Sequence, residues 1–181
     1  MGKLIFGMMQ SLDGHIAGAP GGPQLPPPGP SLHRHFNELV RRSSGSLYGR
    51  RMYEVMRYWD EDLPDRGEIG HDFAAAWRAH PKWVVSRSLR SVGKNATLIR
   101  DDLDSFVRRM RAELPGDIGV AGPTLAGSLT ALGLIDEYHL YLRPFVLGRG
   151  KPYFSGPRPP LRLVASESIG EDAVKLTYVP S

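Results

Sequence analysis

Two short stretches of this chain place a glycine and a helix start where a phosphate group is commonly held. Asp117 to Ala121 reads as a strand, with Ile118 and Val120 apolar, and Gly122-Pro123 then breaks it. Thr124 is a candidate cap, and Leu125, Leu129 and Leu132 recur at helical spacing until Gly133 stops the helix. A helix that opens directly after a glycine turn presents free backbone N–H groups and a partial positive charge. That is an anion site, and phosphate is its usual occupant. The second stretch is Gly49-Arg50-Arg51-Met52, where a strand ends at Tyr48 and a helix begins. Its N–H groups and two guanidinium forks suit a pyrophosphate or a ribose 2′-phosphate, or are simply a solvated basic helix start. The chain is thus a candidate nucleotide-cofactor binder. Neither stretch is the G-x-G-x-x-G fingerprint, so no Rossmann fold follows.

Other residues carry weaker chemical signals. Asp13, in Ser11-Leu12-Asp13-Gly14, is first of all a turn former. Ser86-Arg87-Ser88 is a polar turn after a strand. His33 and His35 lie on a predicted helix and titrate near neutrality, so either is a candidate acid if it faces a pocket. His71, His80 and His139 show no metal-ligand spacing, and the chain has no cysteine, so no metal site, thiolate zinc or disulfide framework is expected. Tyr48, Tyr53, Tyr58 and Trp59 read as core aromatics, with Trp59, in an irregular segment, a candidate wall for a planar substrate.

The elements that must position these residues follow from periodicity. Lys3 to Met9 reads as a buried strand, Asp13-Gly14 as a turn, and His15 to Ala17 as its resumption. Residues 19–30, APGGPQLPPPGP, exclude helix and central strand and form a loop or spacer. Ser31 is a candidate cap for a helix whose face is Leu32, Phe36, Leu39 and Val40. Strands are predicted at 45–48, 82–86 and 96–99, and helices at 50–56, 71–80 and 101–114, with 57–70 irregular. Tyr138, Leu140 and Leu142 share one strand face, and 161–165 and 174–178 alternate as an antiparallel pair. Strands alternating with helices and then a strand-rich end imply a mostly parallel sheet with helices on both faces.

The 181 residues suit one domain, 1–181, with a sizeable core. The N-terminal apolar run is too short to span a membrane and lacks a cleavage pattern, so no membrane association is expected. A cysteine-free chain fits a reducing cytoplasm. The net charge of +4 is spread over scattered arginines without interleaved aromatics, which argues against a nucleic-acid partner.

The segment GLIDEYHLYLRPFVLGRGKPYF resembles the C-terminal signature of the dihydrofolate-reductase-like superfamily. It is closest to the branch that includes the RibD C-terminal reductase domain of bacterial riboflavin biosynthesis. MMQSLDGHIAG at 8–18, LYGRRMYEVM at 47–56 and WVVSRSL at 83–89 agree with that family in the same order. The resemblance implies a three-layer α/β/α fold with a mixed, mostly parallel central sheet and antiparallel C-terminal strands. It implies NADPH as cofactor and a homodimer, with the strand-rich C-terminal region as interface. The 19–30 loop would cover the active site. By the same resemblance, Met9, Ile16 and Ala17 border the nicotinamide, and Asp13 orients substrate or lends a proton through water. Gly49, Arg50, Arg51 and Met52, together with Ala121, Gly122, Pro123, Thr124 and Leu125, would meet the phosphates. Ser86, Arg87 and Ser88 would meet the adenosine end, with Arg87 or Arg51 pairing the 2′-phosphate.

The chain departs from the family at several points. Met52 stands where a threonine is usual, and Ala121 replaces the first of two glycines often joined by a cis peptide. No acid precedes Glu38 in the helix after the loop, where folate reducers anchor the pteridine. The sugar-phosphate recognition pattern of the pathway enzymes is absent, as is any cluster for a fused zinc deaminase, which suggests a stand-alone relative. The expected activity is NADPH-dependent hydride transfer to a small planar heterocycle, pteridine- or pyrimidine-like. The alternative is a non-catalytic nucleotide-binding or sensor protein on the same scaffold.

Overall fold

The apolar runs become strands in the computed structural model, which describes residues 2–181. The chain runs β1 (Leu4–Gln10), β2 (His15–Gly18), α1 (Pro30–Arg42), β3 (Gly45–Gly49), α2 (Arg50–Met56), α3 (Gly67–Ala79), β4 (Lys82–Val85) and β5 (Ala96–Ile99). It continues with α4 (Leu103–Glu113), β6 (Ile118–Ala121), α5 (Pro123–Ala131), β7 (Glu137–Leu142), β8 (Gly150–Pro152), β9 (Leu161–Ile169) and β10 (Ala173–Pro180). Eight strands form one sheet in the order β5-β4-β3-β6-β1-β7-β10-β9. The first six are parallel, and β10 and β9 are antiparallel, as expected for this C-terminal region. The short strands β2 and β8 pair separately, beyond the main sheet.

Side-chain alternation sends each strand's residues into two cores. Leu4, Phe6, Leu47, Ile118 and Val120 pack with Val107 and Met110 of α4 and with Leu125 and Leu129 of α5. On the opposite face Tyr48 and Val84 pack with Tyr53 of α2 and with Phe73 and Trp77 of α3. Leu32 of α1 packs there with Tyr141, Ile169 and Ala173. The expected three layers are thus present. Strand β7 is buried on both faces: Tyr138 enters the first core and Tyr141 the last, while His139 is 7% exposed. Its apolar residues are therefore core, and the exposed apolar side chains lie further on, at Phe145, Val146, Leu163, Val164 and Val174.

Helix starts differ from the sequence expectation. Ser31 and Thr124 do not cap; Gly29 and Gly122 hold the cap positions, with Pro30 and Pro123 in the first turn. Proline suits that turn because its missing N–H would have no helical partner there. The segment 57–70 is more regular than its composition suggests, with 3₁₀ turns at Arg57–Asp60 and Pro64–Arg66 leading into α3. Tertiary contacts order it. Trp77 Nε1 donates to Asp60 at 2.8 Å, and the Arg66 guanidinium lies 4.4 Å from the Tyr58 ring centre.

Two basic residues are buried at the amino-terminal edge of the sheet. Lys82 Nζ donates to the carbonyls of Trp77 at 2.5 Å and His80 at 2.7 Å, satisfying the end of α3. His80 Nε2 lies 2.9 Å from Ser46 Oγ, and burial together with the Lys82 charge pushes its pKa down to about 4. Below pH 6.5 the unfolded chain therefore binds a proton that the folded chain refuses until about pH 4. Stability contributed by neutral His80 is lost as pH falls across that window, by about 3 kcal/mol at most. Urea unfolding at pH 7 and pH 4.5 should record this loss, and His80→Asn should flatten the dependence.

Candidate functional site

Because β1 and β3 to β7 are all parallel, their carboxyl ends share one edge of the sheet. The chain lays down β3, β4 and β5 moving outward from β1, then returns to insert β6 between β1 and β3. Strand order reverses there, and the crevice outside such a reversal is where open α/β sheets bind ligands.

Two helix starts meet at this crevice. Tyr48 pairs with Ala121, so Gly49 and Gly122 leave adjacent strands side by side. A Cβ on Gly122 would sit 3.6 Å from the Gly49 nitrogen and 3.5 Å from Met52 Cβ. Gly122 also has φ of +109°, which any other residue would adopt only with strain. The Ala121–Gly122 peptide is trans. No side chain caps α5 or α2, and α5 makes its first helical bond from Ala126 N to Gly122 O. The N–H groups of Thr124 and Leu125 are thus presented to the crevice, while Pro123 has none. The side chain of Leu125 belongs to the core, and that of Thr124 is exposed.

The arginines divide. Arg50 pairs with Glu54 at 3.4 Å along α2. Among the described residues Arg51 and Arg87 make no ion pair, and both are exposed. The Ser86 hydroxyl serves its own turn, accepting from Ser88 N at 3.2 Å and Leu89 N at 3.1 Å. Arg100, after β5, donates to the carbonyls of Arg87 at 3.3 Å and Leu89 at 2.8 Å. Those bonds hold the turn's carbonyls inward. Sequence reading missed Arg100, whose only signal was an arginine directly after a strand.

On the other side of the crevice, Met9 is the penultimate residue of β1 and packs in the core that holds Leu32 of α1, whereas Ile16 packs against the first core. Ala17 pairs with Lys151 across β2 and β8. Asp13 is exposed, yet its carboxylate is engaged. Its carboxylate accepts from Leu147 N at 3.1 Å and Gly148 N at 2.7 Å, and Oδ2 lies 3.4 Å from His15 Nδ1. Hydrogen bonds from Ser11 and from these two amides push its pKa well below the usual carboxylate range. These bonds favour its ionised form and tie Asp13 to the loop after β7.

The two candidate histidines are also engaged. His33 packs against Trp59 at 5.6 Å and Phe73 at 5.5 Å between ring centres. His35 Nε2 lies 3.1 Å from Tyr141 Oη. Burial lowers both pKa values, so both rings are neutral near pH 7. Trp59 is half-buried and packs with Phe73, at 4.6 Å between ring centres, and with the Arg66 guanidinium, at 4.9 Å from its ring centre. Two surface concavities, one along α2 and the following turn and one beside Trp83 and Thr97, include none of the crevice residues.

With this geometry in place, residues 2–175 match the RibD C-terminal domain. The chain belongs to that family. It is 26% identical over 182 residues to the uncharacterised protein YyaP of Bacillus subtilis (strain 168), covering 97% of this chain and 94% of that protein. A Shewanella sp. PV-4 structure named for riboflavin biosynthesis superposes with a TM-score of 0.73 at 21% identity, covering 100% and 99% of the two chains. Acinetobacter baumannii RibD superposes with a TM-score of 0.73 at 17% identity, over all of this chain and 58% of that one. Enterococcus faecalis dihydrofolate reductase, in complex with NADP(H) and RAB-propyl, superposes with a TM-score of 0.65 at 15% identity, over 99% and 96%. The fold is dihydrofolate reductase-like, and the family relationship is to reductases.

The bonds from Leu147 and Gly148 make Asp13 testable without any ligand. Asp13→Ala should raise hydrogen exchange at those two amides selectively, as NMR would read, while β1 and β7 amides stay protected.

Proposed function

We propose that this RibD C-terminal family member is an NADPH-dependent reductase of a small planar heterocycle, pteridine- or pyrimidine-like, or of its ring-opened imine. The observation that carries the reading is the meeting of Gly49 and Gly122 at the strand-order reversal, with uncapped N–H groups of α5 and the unpaired Arg51 and Arg87. Those groups fit a dinucleotide. The N–H groups of Thr124 and Leu125 and the backbone at Gly49 would take the pyrophosphate. Arg51 and Arg87 would take the ribose 2′-phosphate, the group that separates NADPH from NADH. Met9, Ile16 and Ala17 would border the nicotinamide. A bound NADPH would supply the hydride, and this chain's residues would orient the reacting rings and exclude water.

A second reading is a nucleotide-binding protein without turnover. What favours it is the state of the acid-base groups. Asp13 is ionised and spent on the 147–148 backbone, and His33 and His35 are neutral. A substrate that is protonated by water, or that arrives as an iminium ion, needs no such group, and this keeps the reductase as the preferred reading.

Calorimetric titration with NADPH and NADH decides first. Micromolar binding that prefers NADPH supports the reading, and absence of binding by either sinks it. Arg51→Ala should weaken NADPH by about tenfold or more and NADH by far less, if one charge-assisted phosphate contact is removed. An equal loss for both cofactors would remove Arg51 from the 2′-phosphate. Binding of NADPH with no turnover on a panel of reducible pteridines and pyrimidines would favour the second reading.

We also propose that a second copy of the chain covers the C-terminal edge of the sheet. Strand β9 is exposed along nearly its whole length, with Leu163 49% and Val164 43% exposed, and Val174 of β10 is 40% exposed. An exposed edge strand of this length offers a free row of backbone donors and acceptors for pairing. Light scattering should find a dimer, and Val164→Lys should shift it to monomer. The cysteine-free chain and a reduced cofactor accord with the cytoplasm.

A further inference from the structure

The chain between β2 and α1 is a strap rich in proline, with Pro20, Pro23, Pro26, Pro27 and Pro28. Proline has no N–H, so such a strap can tie itself to the body mainly through its carbonyls, and only where the body supplies donors. Near its middle, Gln24 does this locally, accepting from Gly18 N at 3.0 Å and donating to Ala19 O at 3.1 Å. At its far end the donor is Arg143, which follows β7 and is 3% exposed. Its guanidinium donates to Pro26 O at 3.2 Å and Pro27 O at 3.4 Å, and touches Met9 Sδ at 3.6 Å. Nε donates to Asp172 O at 3.0 Å, and Nη2 lies 3.4 Å from Asp172 Oδ2. Asp172, in the turn between β9 and β10, also accepts from Gly29 N at 2.8 Å, where α1 begins. Among the described residues, Asp172 is the one counter-ion of Arg143.

All of these groups lie at the carboxyl edge of the sheet. Arg143 follows the end of parallel β7, and Ala173 opens β10 beside that end. Met9 is the penultimate residue of β1, on the side of β6 opposite Gly49. One buried guanidinium therefore joins the strap, the start of α1, the β9–β10 turn and a side chain at the crevice. A cation so enclosed is kept by its fork of donors and its paired carboxylate, and either partner removed leaves the other without compensation.

We propose that Arg143 is the positioning residue of the crevice mouth: with Asp172 it latches the 19–29 strap and seats Met9, and so sets how freely a ligand enters and leaves. The assignment concerns the strap itself, and only its ligand consequence rests on the cofactor reading above.

Hydrogen exchange read by mass spectrometry on peptides covering 18–29 tests it in the full chain. Arg143→Met should speed exchange of the strap amides, Gly29 among them, by about tenfold or more while β1 and β6 amides keep their protection. Arg143→Lys keeps the charge but loses the planar array of donors that spans Pro26, Pro27 and Asp172 together, and should fall between wild type and Arg143→Met. Asp172→Asn keeps an acceptor for Gly29 but leaves the guanidinium without its counter-ion, and should loosen the same peptide. It decides the matter alone should Arg143→Met not fold. Strap exchange equal to wild type, or rising only by the same factor as the core strands, would overturn the proposal. Where NADPH binds, its dissociation should quicken in the order of strap exchange. Because exchange needs no ligand, loss of the cofactor reading and loss of this one are told apart.

Discussion

Everything at the crevice depends on β6 being paired on both edges, with β1 on one side and β3 on the other. Backbone hydrogen bonds in a parallel sheet set the register of the strands, and register here sets where each strand stops. Because Tyr48 stands opposite Ala121, the two glycines that follow are neighbours, and both helices open toward the same volume. Any larger residue at Gly122 would meet an unfavourable φ before it met a ligand. What this spot offers is thus set by the backbone: Met52 and Ala121 alter side chains and leave α5 without a side-chain cap.

The buried polar groups divide by what they hold. Lys82 and His80 sit at the far edge of the sheet and close the end of α3 and the start of β3. Tyr153 Oη donates to the carbonyls of Phe6 at 2.8 Å and His139 at 3.2 Å, pinning the segment after β8 beneath β1 and β7. Asp13 and Arg143 do comparable work at the crevice edge, each anchoring a loop by its backbone. At this edge, charged side chains are committed to loops, and the groups left open are amides and the guanidinium groups of Arg51 and Arg87.

Much of this was legible beforehand. The alternating or continuous apolar runs located the main-sheet strands, and of the predicted α1 face Leu32 is buried and Phe36 packs against the core, while Leu39 is exposed. The Gly-Arg and Gly-Pro turns were visible as helix starts because glycine and proline punctuate the chain. The caps were misread because Ser31 and Thr124 are good cap types, whereas each following-proline arrangement moved the cap to the preceding glycine. The order within 57–70 was missed because it comes from Trp77 and Arg66 reaching across sequence, which local composition does not record. Arg143 looked like an arginine at a strand end; its burial depends on Asp172, 29 residues further on.

What the sequence alone determined is therefore the main-sheet strands, the helices and the glycine turns that open α2 and α5, because periodicity and glycine placement are local properties. Tertiary structure decided which residues come together. It set Gly49 beside Gly122, paired Arg50 away on Glu54 while leaving Arg51 open, and turned Asp13 to the 147–148 backbone. Those outcomes follow from strand order and from long-range hydrogen bonds, which no window along the chain contains.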